Sequence, residues 1–368
     1  MKRTLTVGVT GLNAGESPAP GAGVLRSLAE GRTTHGARRI GLAYDALDAG
    51  IYSEGLAHEV FLLPYPSSSV EAFRERLLEI HARVGLDVLI PTLDAELPVF
   101  LTLADELERL GIRVVLPTRQ QLEMRSKARL AQLGEKAGIS VPATVTVNSL
   151  DELGRAHERV PFPYFVKGVF YGATLARTFT EAAAAFLTAA ADWGLPVIVQ
   201  TSTPGEEFNV VAVGDGEGGM VGAVAMKKLV ITDKGKGWAG VTIRDQALLE
   251  LTRSFLRATR WRGPCEIEAI RDRHGQLHLI EINPRFPAWV HLATSAGINL
   301  PNAVVELALG RALEPQVDYA VGKLFIRIAW DQVANIGDFE QLVTLGERLP
   351  AAARRNTPGR LDPSPHGV

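Results

Sequence analysis

The stretch GPCEIEAIRDRHGQLHLIEINPRF at residues 263–286 decides how the fold of this chain is interpreted. Two apolar runs flank the DRHGQ segment at 272–276, whose glycine and polar residues are typical of a tight turn. We therefore predict two paired strands over residues 265–270 and 277–282. Paired strands with a short turn indicate antiparallel sheet in this half of the chain.

The predicted hairpin places oxygen-bearing side chains together. Side chains at matching parity on paired strands point to one face, so Glu268 is expected near Glu281, with Asn283 two positions further along. Two carboxylates and a carboxamide oxygen are hard ligands that suit Mg²⁺ held jointly with phosphate, and Glu281 could bridge two metal ions. A charged hairpin is usually a solvated face, but Glu281 and Asn283 lie among apolar residues, where an unpaired carboxylate is costly. Arg285 follows with planar donors that match carboxylate or phosphate.

Composition limits the classes of function. The chain has 368 residues, 46% of them hydrophobic, and its 39 Lys and Arg are nearly balanced by 41 Asp and Glu. A formal charge of −2 gives no basic surface for nucleic acid or an anionic membrane, so neither partner is expected. Cys265 is the one cysteine, which excludes an intrachain disulfide and favours a cytoplasmic location. No apolar run reaches the roughly 18 residues that a membrane span requires.

The chain divides into three predicted parts. Over residues 1–118, strands alternate with amphipathic helices, which indicates an α/β domain with a parallel sheet and helices on both faces. Residues 119–310 have a mostly antiparallel α+β pattern, with a lid subdomain at about 140–200. Residues 311–368 are expected to form a C-terminal extension that ends in a disordered, Pro-rich tail from about residue 356.

These motifs resemble those of the ATP-grasp superfamily, especially the branch of biotin carboxylase and the carbamoyl phosphate synthetase large chain. The resemblance rests on the EINPR run at 281–285, the GPCEIE strand at 263–268 and the lysines upstream of them, and it covers about residues 118–310. It implies an ATP-grasp fold preceded by a Rossmann-like α/β domain. It also implies ATP and Mg²⁺, or Mn²⁺, as cofactors.

The resemblance assigns nucleotide contacts residue by residue. Lys127, in a helix predicted over 121–138, matches the first basic residue at the nucleotide phosphates. Lys167 matches the second, which reaches the α- and β-phosphates from the lid. The hinge and ribose positions are matched by Gln200 beside the adenine, by the backbone of Thr201 and Ser202 at the adenine edge, and by Glu207 as an acceptor for the ribose hydroxyls.

The same resemblance assigns the metal and the catalytic positions. Glu268, Glu281 and Asn283 match the metal ligands, and Arg285 matches a basic residue that orients the acyl phosphate or the substrate. The assignment agrees with the charge of the ligand, because a nucleoside triphosphate needs cationic side chains on one side and carboxylate-held Mg²⁺ on the other.

The sequence leaves the roles of several residues undecided. Lys227 or Lys228 could supply a further phosphate contact or could be the solvated end of a strand. The stretches at 11–23 and 286–301 are expected to face the acceptor pocket. The lid loop, glycine-rich in many members of the superfamily, reads GVFYGAT here, so Tyr171 could shape a different acceptor pocket.

The reaction implied by the resemblance is attack of a carboxylate on the γ-phosphate of ATP, followed by attack of an amine on the acyl phosphate. We expect small-molecule carboxylate and amine substrates, with an amino acid or short peptide as the carboxylate, and a homodimer as the commonest assembly. Two alternatives stay open: bicarbonate phosphorylation, as in the carboxylase and carbamoyl phosphate branch, and an ATP-binding sensor without turnover.

Overall fold

The computed structural model describes residues 4–15, 18–126, 129–168, 172–232, 237–329 and 331–349. Within these ranges the strands form two six-stranded sheets and one four-stranded sheet. None of the helices in the same ranges is long and apolar enough to cross a membrane.

The N-terminal layer is a parallel sheet covered by helices. Its elements in chain order are β1 (Thr6–Thr10), α1 (Gly21–Ala29), β2 (Arg38–Ala43), β3 (Glu59–Leu62), α2 (Val70–Val84), β4 (Val88–Ile90), α3 (Leu97–Arg109) and β5 (Arg113–Val114). The strand order β3-β2-β1-β4-β5 is parallel throughout. Helix α1 packs on one face of the sheet, and α2 and α3 pack on the other. The predicted parallel α/β layer is confirmed.

A four-stranded antiparallel sheet with its own apolar core lies over the residues predicted as the lid subdomain, and we call it the lid sheet. The elements from the end of the first layer through the lid are α4 (Arg119–Met124), α5 (Leu130–Ala137), β6 (Thr144–Val147), α6 (Leu150–Ala156), β7 (Tyr164–Lys167), β8 (Ala173–Ala176), α7 (Phe179–Trp193) and β9 (Val197–Thr201). The prediction of one helix over 121–138 is wrong, because α4 ends before Arg125. There the Ser126 amide bonds to the Glu123 carbonyl three residues back, which closes a tight turn.

The central sheet is antiparallel and carries the hairpin recognised from sequence. Its elements are β10 (Gly205–Asp215), β11 (Met220–Ile231), β12 (Gly237–Thr242), α8 (Gln246–Thr259), β13 (Arg262–Asp272) and β14 (Leu277–Asn283). The strand order is β14-β13-β10-β11-β12. Asp245 is the N-cap of helix α8, and its side chain accepts from the Leu248 amide. The apolar face of α8 covers one side of the sheet.

The remaining elements complete both large sheets. They are α9 (His291–Ser295), α10 (Leu300–Ala308), β15 (Leu324–Ile326), α11 (Ile336–Leu345) and β16 (Glu347–Arg348). Strand β15 pairs with β12, and β16 pairs antiparallel with β3. The described part of the expected extension therefore belongs to the two sheets instead of standing apart. The tail predicted from residue 356 lies outside the described residues, and the domain boundaries stay a prediction.

One apolar core joins the N-terminal layer to the central sheet. Residues of α1, α9 and α10 pack between β1 and the inner face of β10 and β11, with Val24, Val211, Val224, Met226 and Val304 all nearly inaccessible to solvent. The oxygen-bearing side chains of the hairpin lie on this same inner face, since Val211 is directly opposite Glu266 in the strand register. The candidate site therefore begins where the shared core ends.

Candidate active site

The β13–β14 hairpin brings four polar side chains into register. Glu268 lies opposite Glu281, and Glu266 lies opposite Asn283. We call these four residues the acidic wall. The expectation that Glu268, Glu281 and Asn283 share one face is met by this geometry, which follows from the two-residue period of paired strands. Glu266 is an additional member.

Lys228 on β11 neutralises part of the acidic wall. Its ammonium donates to Glu207 Oε2 and to Glu268 Oε2, each at 2.8 Å, and its side chain is only 5% exposed. Burial alone would lower the pKa of Lys228, but the two carboxylates outweigh it and raise that pKa. Lys227 instead pairs with Glu206 at the surface. Of the two lysines left open by the sequence, Lys228 is therefore the one that lies at the wall.

The pKa of Glu268 is raised by its surroundings. Burial raises its pKa, Lys228 opposes that shift, and the nearby charge of Glu266 adds to it, with a net increase. A second cation beside Glu268 would favour the ionised form further, because it would offset both burial and like-charge repulsion.

Asn283 is held between two carboxylates. Its Nδ2 donates to Glu266 Oε2 at 3.1 Å and to Glu268 Oε1 at 3.2 Å. Glu266 also accepts from Asn209 Nδ2 at 2.5 Å and from Trp289 Nε1 at 2.7 Å. The amide nitrogen of Asn283 is therefore bonded to two carboxylates, whereas its oxygen accepts one long bond of 3.4 Å from Arg285 Nη2.

Arg285 connects the wall to the N-terminal layer. Its Nε donates to Asp94 Oδ2 at 2.8 Å, and its Nη2 lies 3.4 Å from Asn283 Oδ1. Asp94 begins a short 3₁₀ segment after β4 and also pairs with Arg125 at 3.2 Å. Burial would lower the pKa of Arg285, but Asp94 and Glu266 raise it above its usual range, so the guanidinium stays charged.

The lid residues predicted to contact the nucleotide bond to one another and to neighbouring strands. Lys167 Nζ donates to Gln200 Oε1 at 2.7 Å, and Gln200 is 3% exposed, so its side chain orients the lysine from inside the lid sheet. The amide of Thr201 donates to Ala143 O and that of Ser202 to Pro163 O. Both amides therefore bond within the lid sheet in this structure. The contacts of Gln200, Thr201 and Ser202 with an adenine stay predictions.

Two predicted residues are not placed. Lys127, matched to the nucleotide phosphates, and Tyr171, in the lid loop, lie outside the described residues. Glu207, expected as the acceptor for the ribose, accepts from Lys228 in this structure. The stretches at 11–23 and 286–301 do meet: a Cβ on Gly23 would lie 3.2 Å from Val290 Cγ1.

The donor set of the wall fits Mg²⁺ that is shared with phosphate. Within the described residues, no group of three or more His, Cys, Asp and Glu side chains could hold a metal ion. Glu268, Glu281 and the Asn283 oxygen instead form an incomplete oxygen set. Mg²⁺ typically takes one or two carboxylates from the protein and the rest of its ligands from substrate phosphates and water.

Three charged residues near the acidic wall were not predicted from the sequence: Asp94, Glu266 and Arg327. Asp94 had a usable signal, because it follows a strand of a parallel sheet, where the carboxyl ends of strands form ligand sites. Glu266 had one as well, since it shares the parity of Glu268. Arg327 had none: it follows β15, donates to Gly237 O at 2.9 Å, and has its pKa lowered by burial while Glu266 opposes that shift.

Comparison with known proteins identifies the fold. Residues 195–332 match the family described as "ATP-grasp in the biosynthetic pathway with Ter operon". The carbamoyl phosphate synthase large chain of Rubrobacter xylanophilus is 26% identical over 290 residues, which is 68% of this chain and 27% of that protein. The chain spans about a quarter of the length of the curated relatives it matches.

Solved structures agree with that match. The biotin carboxylase domain of the 2-oxoglutarate carboxylase of Hydrogenobacter thermophilus superimposes with a TM-score of 0.67 at 17% identity, over 86% of this chain and 72% of that one. The L-amino acid ligase of Bacillus licheniformis gives a TM-score of 0.63 at 16% identity, over 85% and 76% of the two chains. The resemblance to the ATP-grasp superfamily is confirmed, and this chain has an ATP-grasp fold.

Proposed function

We propose that this chain is an ATP-dependent, ADP-forming ligase that phosphorylates a carboxylate and couples the acyl phosphate to an amine. One observation carries the proposal: Glu268, Glu281 and Asn283 adjoin on one wall, with Lys228 and Arg285 at its edges. Such a wall suits a triphosphate, whose negative charge needs both cationic side chains and carboxylate-held Mg²⁺.

Each side chain has a proposed part in the reaction. Glu268, Glu281 and Asn283 would hold Mg²⁺, which when bound neutralises the β- and γ-phosphates. Lys127 and Lys167 would bind the phosphates, and the remaining nucleotide contacts are assigned to Gln200, Thr201, Ser202 and Glu207. The substrate carboxylate oxygen attacks the γ-phosphorus as the bond to the β–γ bridging oxygen breaks and ADP leaves. The amine nitrogen then attacks the acyl carbon and phosphate leaves.

Arg285 is the proposed catalytic residue. Its guanidinium lies beside Asn283 and the acidic wall, and Asp94 fixes its direction through a 2.8 Å bond to Nε. A planar cation held in this way can stabilise charge that develops on a transferred phosphoryl group or an acyl phosphate. Catalysis would depend on positioning and charge, so no protein nucleophile is needed.

An amino acid or a short peptide is the proposed carboxylate. An L-amino acid ligase is among the proteins of similar fold, which supports this class. Bicarbonate is a second candidate, because a curated relative is a carbamoyl phosphate synthase large chain and one solved neighbour is described as a complex with MgADP and bicarbonate. Both substrates present a carboxylate-like oxygen to the same wall.

The proposal extends to the substrates, the assembly and the cellular location of the protein. We infer small-molecule substrates, a homodimer and a cytoplasmic location. The single cysteine and the near-neutral charge of −2 support a reducing compartment and argue against nucleic acid as a partner.

³¹P NMR with hydroxylamine trapping tests the proposal. The protein is incubated with Mg-ATP and pooled amino acids in one tube and with bicarbonate in another. ADP, phosphate and a hydroxamate in the first tube are expected. Turnover with bicarbonate alone would transfer the assignment to the second candidate, AMP and pyrophosphate would contradict an acyl phosphate, and bound but unchanged ATP would favour a sensor.

Glu281→Gln tests the metal wall directly. The substitution removes a charge without changing size, so we expect loss of at least 100-fold in Mg²⁺-dependent ATP turnover. Asp272→Asn is the matched control, because this carboxylate lies on the same hairpin but bonds to His278 and to turn amides. Turnover retained in Glu281→Gln would place the metal elsewhere.

A further inference from the structure

We infer that Glu266 is a positioning residue that sets the orientation of Asn283 and Arg285 for the bound metal and nucleotide. This inference rests on the proposed function and extends it to a carboxylate that the metal assignment does not include. Glu266 is 5% exposed and lies directly opposite Asn283 in the hairpin.

Both oxygens of Glu266 are already occupied by donors. Oε1 accepts from Asn209 Nδ2 at 2.5 Å and from Trp289 Nε1 at 2.7 Å. Oε2 accepts from Asn283 Nδ2 at 3.1 Å and lies 3.7 Å from Arg285 Nη1. Three of the roughly four acceptor sites of this carboxylate are therefore used by side chains of the protein, which is the pattern of a group that holds its neighbours in place.

Glu266 determines which way the side-chain amide of Asn283 faces. A carboxamide has one oxygen and one NH₂ group, and only the oxygen binds Mg²⁺. Glu266 and Glu268 both accept from the nitrogen, which turns the Asn283 oxygen to the opposite side. If Glu268 held a metal ion, Glu266 would be the carboxylate left to accept from the Asn283 nitrogen and keep its oxygen directed to the other side.

The effect on Arg285 is one of position, because carboxylates lie on two sides of its guanidinium. Asp94 holds Nε from the N-terminal layer, and Glu266 lies near Nη1 on the other side. The arginine is thus held from two domains, so its Nη2 faces Asn283.

Glu266→Gln should weaken metal binding without removing a ligand. Glutamine has one accepting oxygen, so either Asn283 or the Asn209 and Trp289 pair would face its NH₂ group. Removing a partner that orients a metal ligand typically lowers metal affinity 10–100-fold. The measurement is Mn²⁺ affinity in the presence of ADP, from the loss of the free Mn²⁺ signal in electron paramagnetic resonance titrations.

The design separates this inference from the proposed function. Wild-type protein should bind Mn²⁺ with ADP, Glu266→Gln should bind at least tenfold more weakly, and Asp272→Asn should match wild type. Failure of the wild type to bind Mn²⁺-ADP would overturn the proposed function itself. Equal affinity in wild type and folded Glu266→Gln would overturn the inference alone.

Trp289→Phe provides a second variant if Glu266→Gln does not fold. It removes one donor to Oε1 and keeps an aromatic ring in a site that is 7% exposed. We expect Mn²⁺ affinity to fall two- to fivefold, because Glu266 keeps its charge but loses one of the bonds that fix it. Affinity unchanged in this variant would contradict the inference, since a role in packing alone would leave the metal titration as it is.

Discussion

Lys228 separates two carboxylates that would otherwise repel each other at the candidate site. Its ammonium is shared by Glu207 and Glu268 across β11, β10 and β13. This pairing offsets part of the negative charge of the acidic wall with a cation of the protein itself. Bound Mg²⁺ would supply more positive charge at Glu268.

Lys228→Met should destabilise the protein, and Mg²⁺ with ADP should restore part of the loss. Removing one partner of a buried ion pair costs about 3–5 kcal/mol, and we expect roughly 2–4 kcal/mol here because Glu207 is 35% exposed. Urea unfolding gives the free energy. Lys227→Met is the control, at under about 1 kcal/mol, because Lys227 and Glu206 are 35% and 58% exposed. Equal losses in the two variants would contradict the buried pairing.

At the level of elements, the junction of β1 and α1 is formed by close backbone contact. Gly21 begins α1, and a Cβ there would lie 2.2 Å from the carbonyl oxygens of both Thr10 and Gly11. The Gly21 amide donates to Gly11 O at 3.1 Å, so the first turn of the helix rests on the carboxyl end of the strand. This is the edge of the parallel sheet that faces the acidic wall through Asp94 and Arg285.

Gly21→Ala should therefore lower the free energy of unfolding. The methyl group cannot fit without moving helix or strand, which costs about 1–3 kcal/mol or more. Gly154→Ala in α6 is expected to raise the free energy of unfolding instead. The added Cβ would meet only Phe179, at 3.8 Å, and alanine stabilises a helix by up to about 1 kcal/mol relative to glycine. Chemical denaturation of both variants checks the pair, and a neutral Gly21→Ala would show that α1 can shift freely.

At the scale of the whole molecule, the segment after α10 contacts both the central sheet and the N-terminal layer. Tyr319 is 5% exposed, its hydroxyl donates to Ile243 O at 2.7 Å, and it accepts from the Ala225 amide at 3.0 Å. Further on, Arg348 donates to Ile51 O at 2.9 Å in the N-terminal layer. The segment thus contacts both large sheets, and we expect it to unfold with them.

Tyr319→Phe should destabilise the whole chain in one transition. The buried Ala225 amide would lose its bond to the hydroxyl, at a cost of about 1–3 kcal/mol, and the part-buried Ile243 carbonyl would lose a second bond. Tyr65→Phe is the control: Tyr65 is 53% exposed, so the loss of its bond to Asp45 should cost under about 0.5 kcal/mol. Urea unfolding followed by fluorescence and circular dichroism should coincide, and a separate early transition in Tyr319→Phe would show that the segment folds alone.

The sequence by itself determined the features that depend on local periodicity. Alternation of strands and helices predicts the parallel layer, and residue parity around a turn places Glu268 beside Glu281 and Asn283. Period 2 in strands and 3.6 in helices is a property of the backbone, so these predictions need no knowledge of distant segments. The break between α4 and α5 at Arg125 was not predicted, because a tight turn takes up few residues and leaves the spacing of apolar residues almost unchanged.

Only the tertiary structure decided which distant groups meet. Arg285 bonds to Asp94 across 191 positions of sequence, and Lys228 lies between carboxylates of two other strands. Periodicity shows which face a residue occupies but not which segment covers that face. Which segment covers a face depends on the free energy of the whole chain. Glu266 can be buried because donors from three other segments, Asn209, Asn283 and Trp289, bond to it.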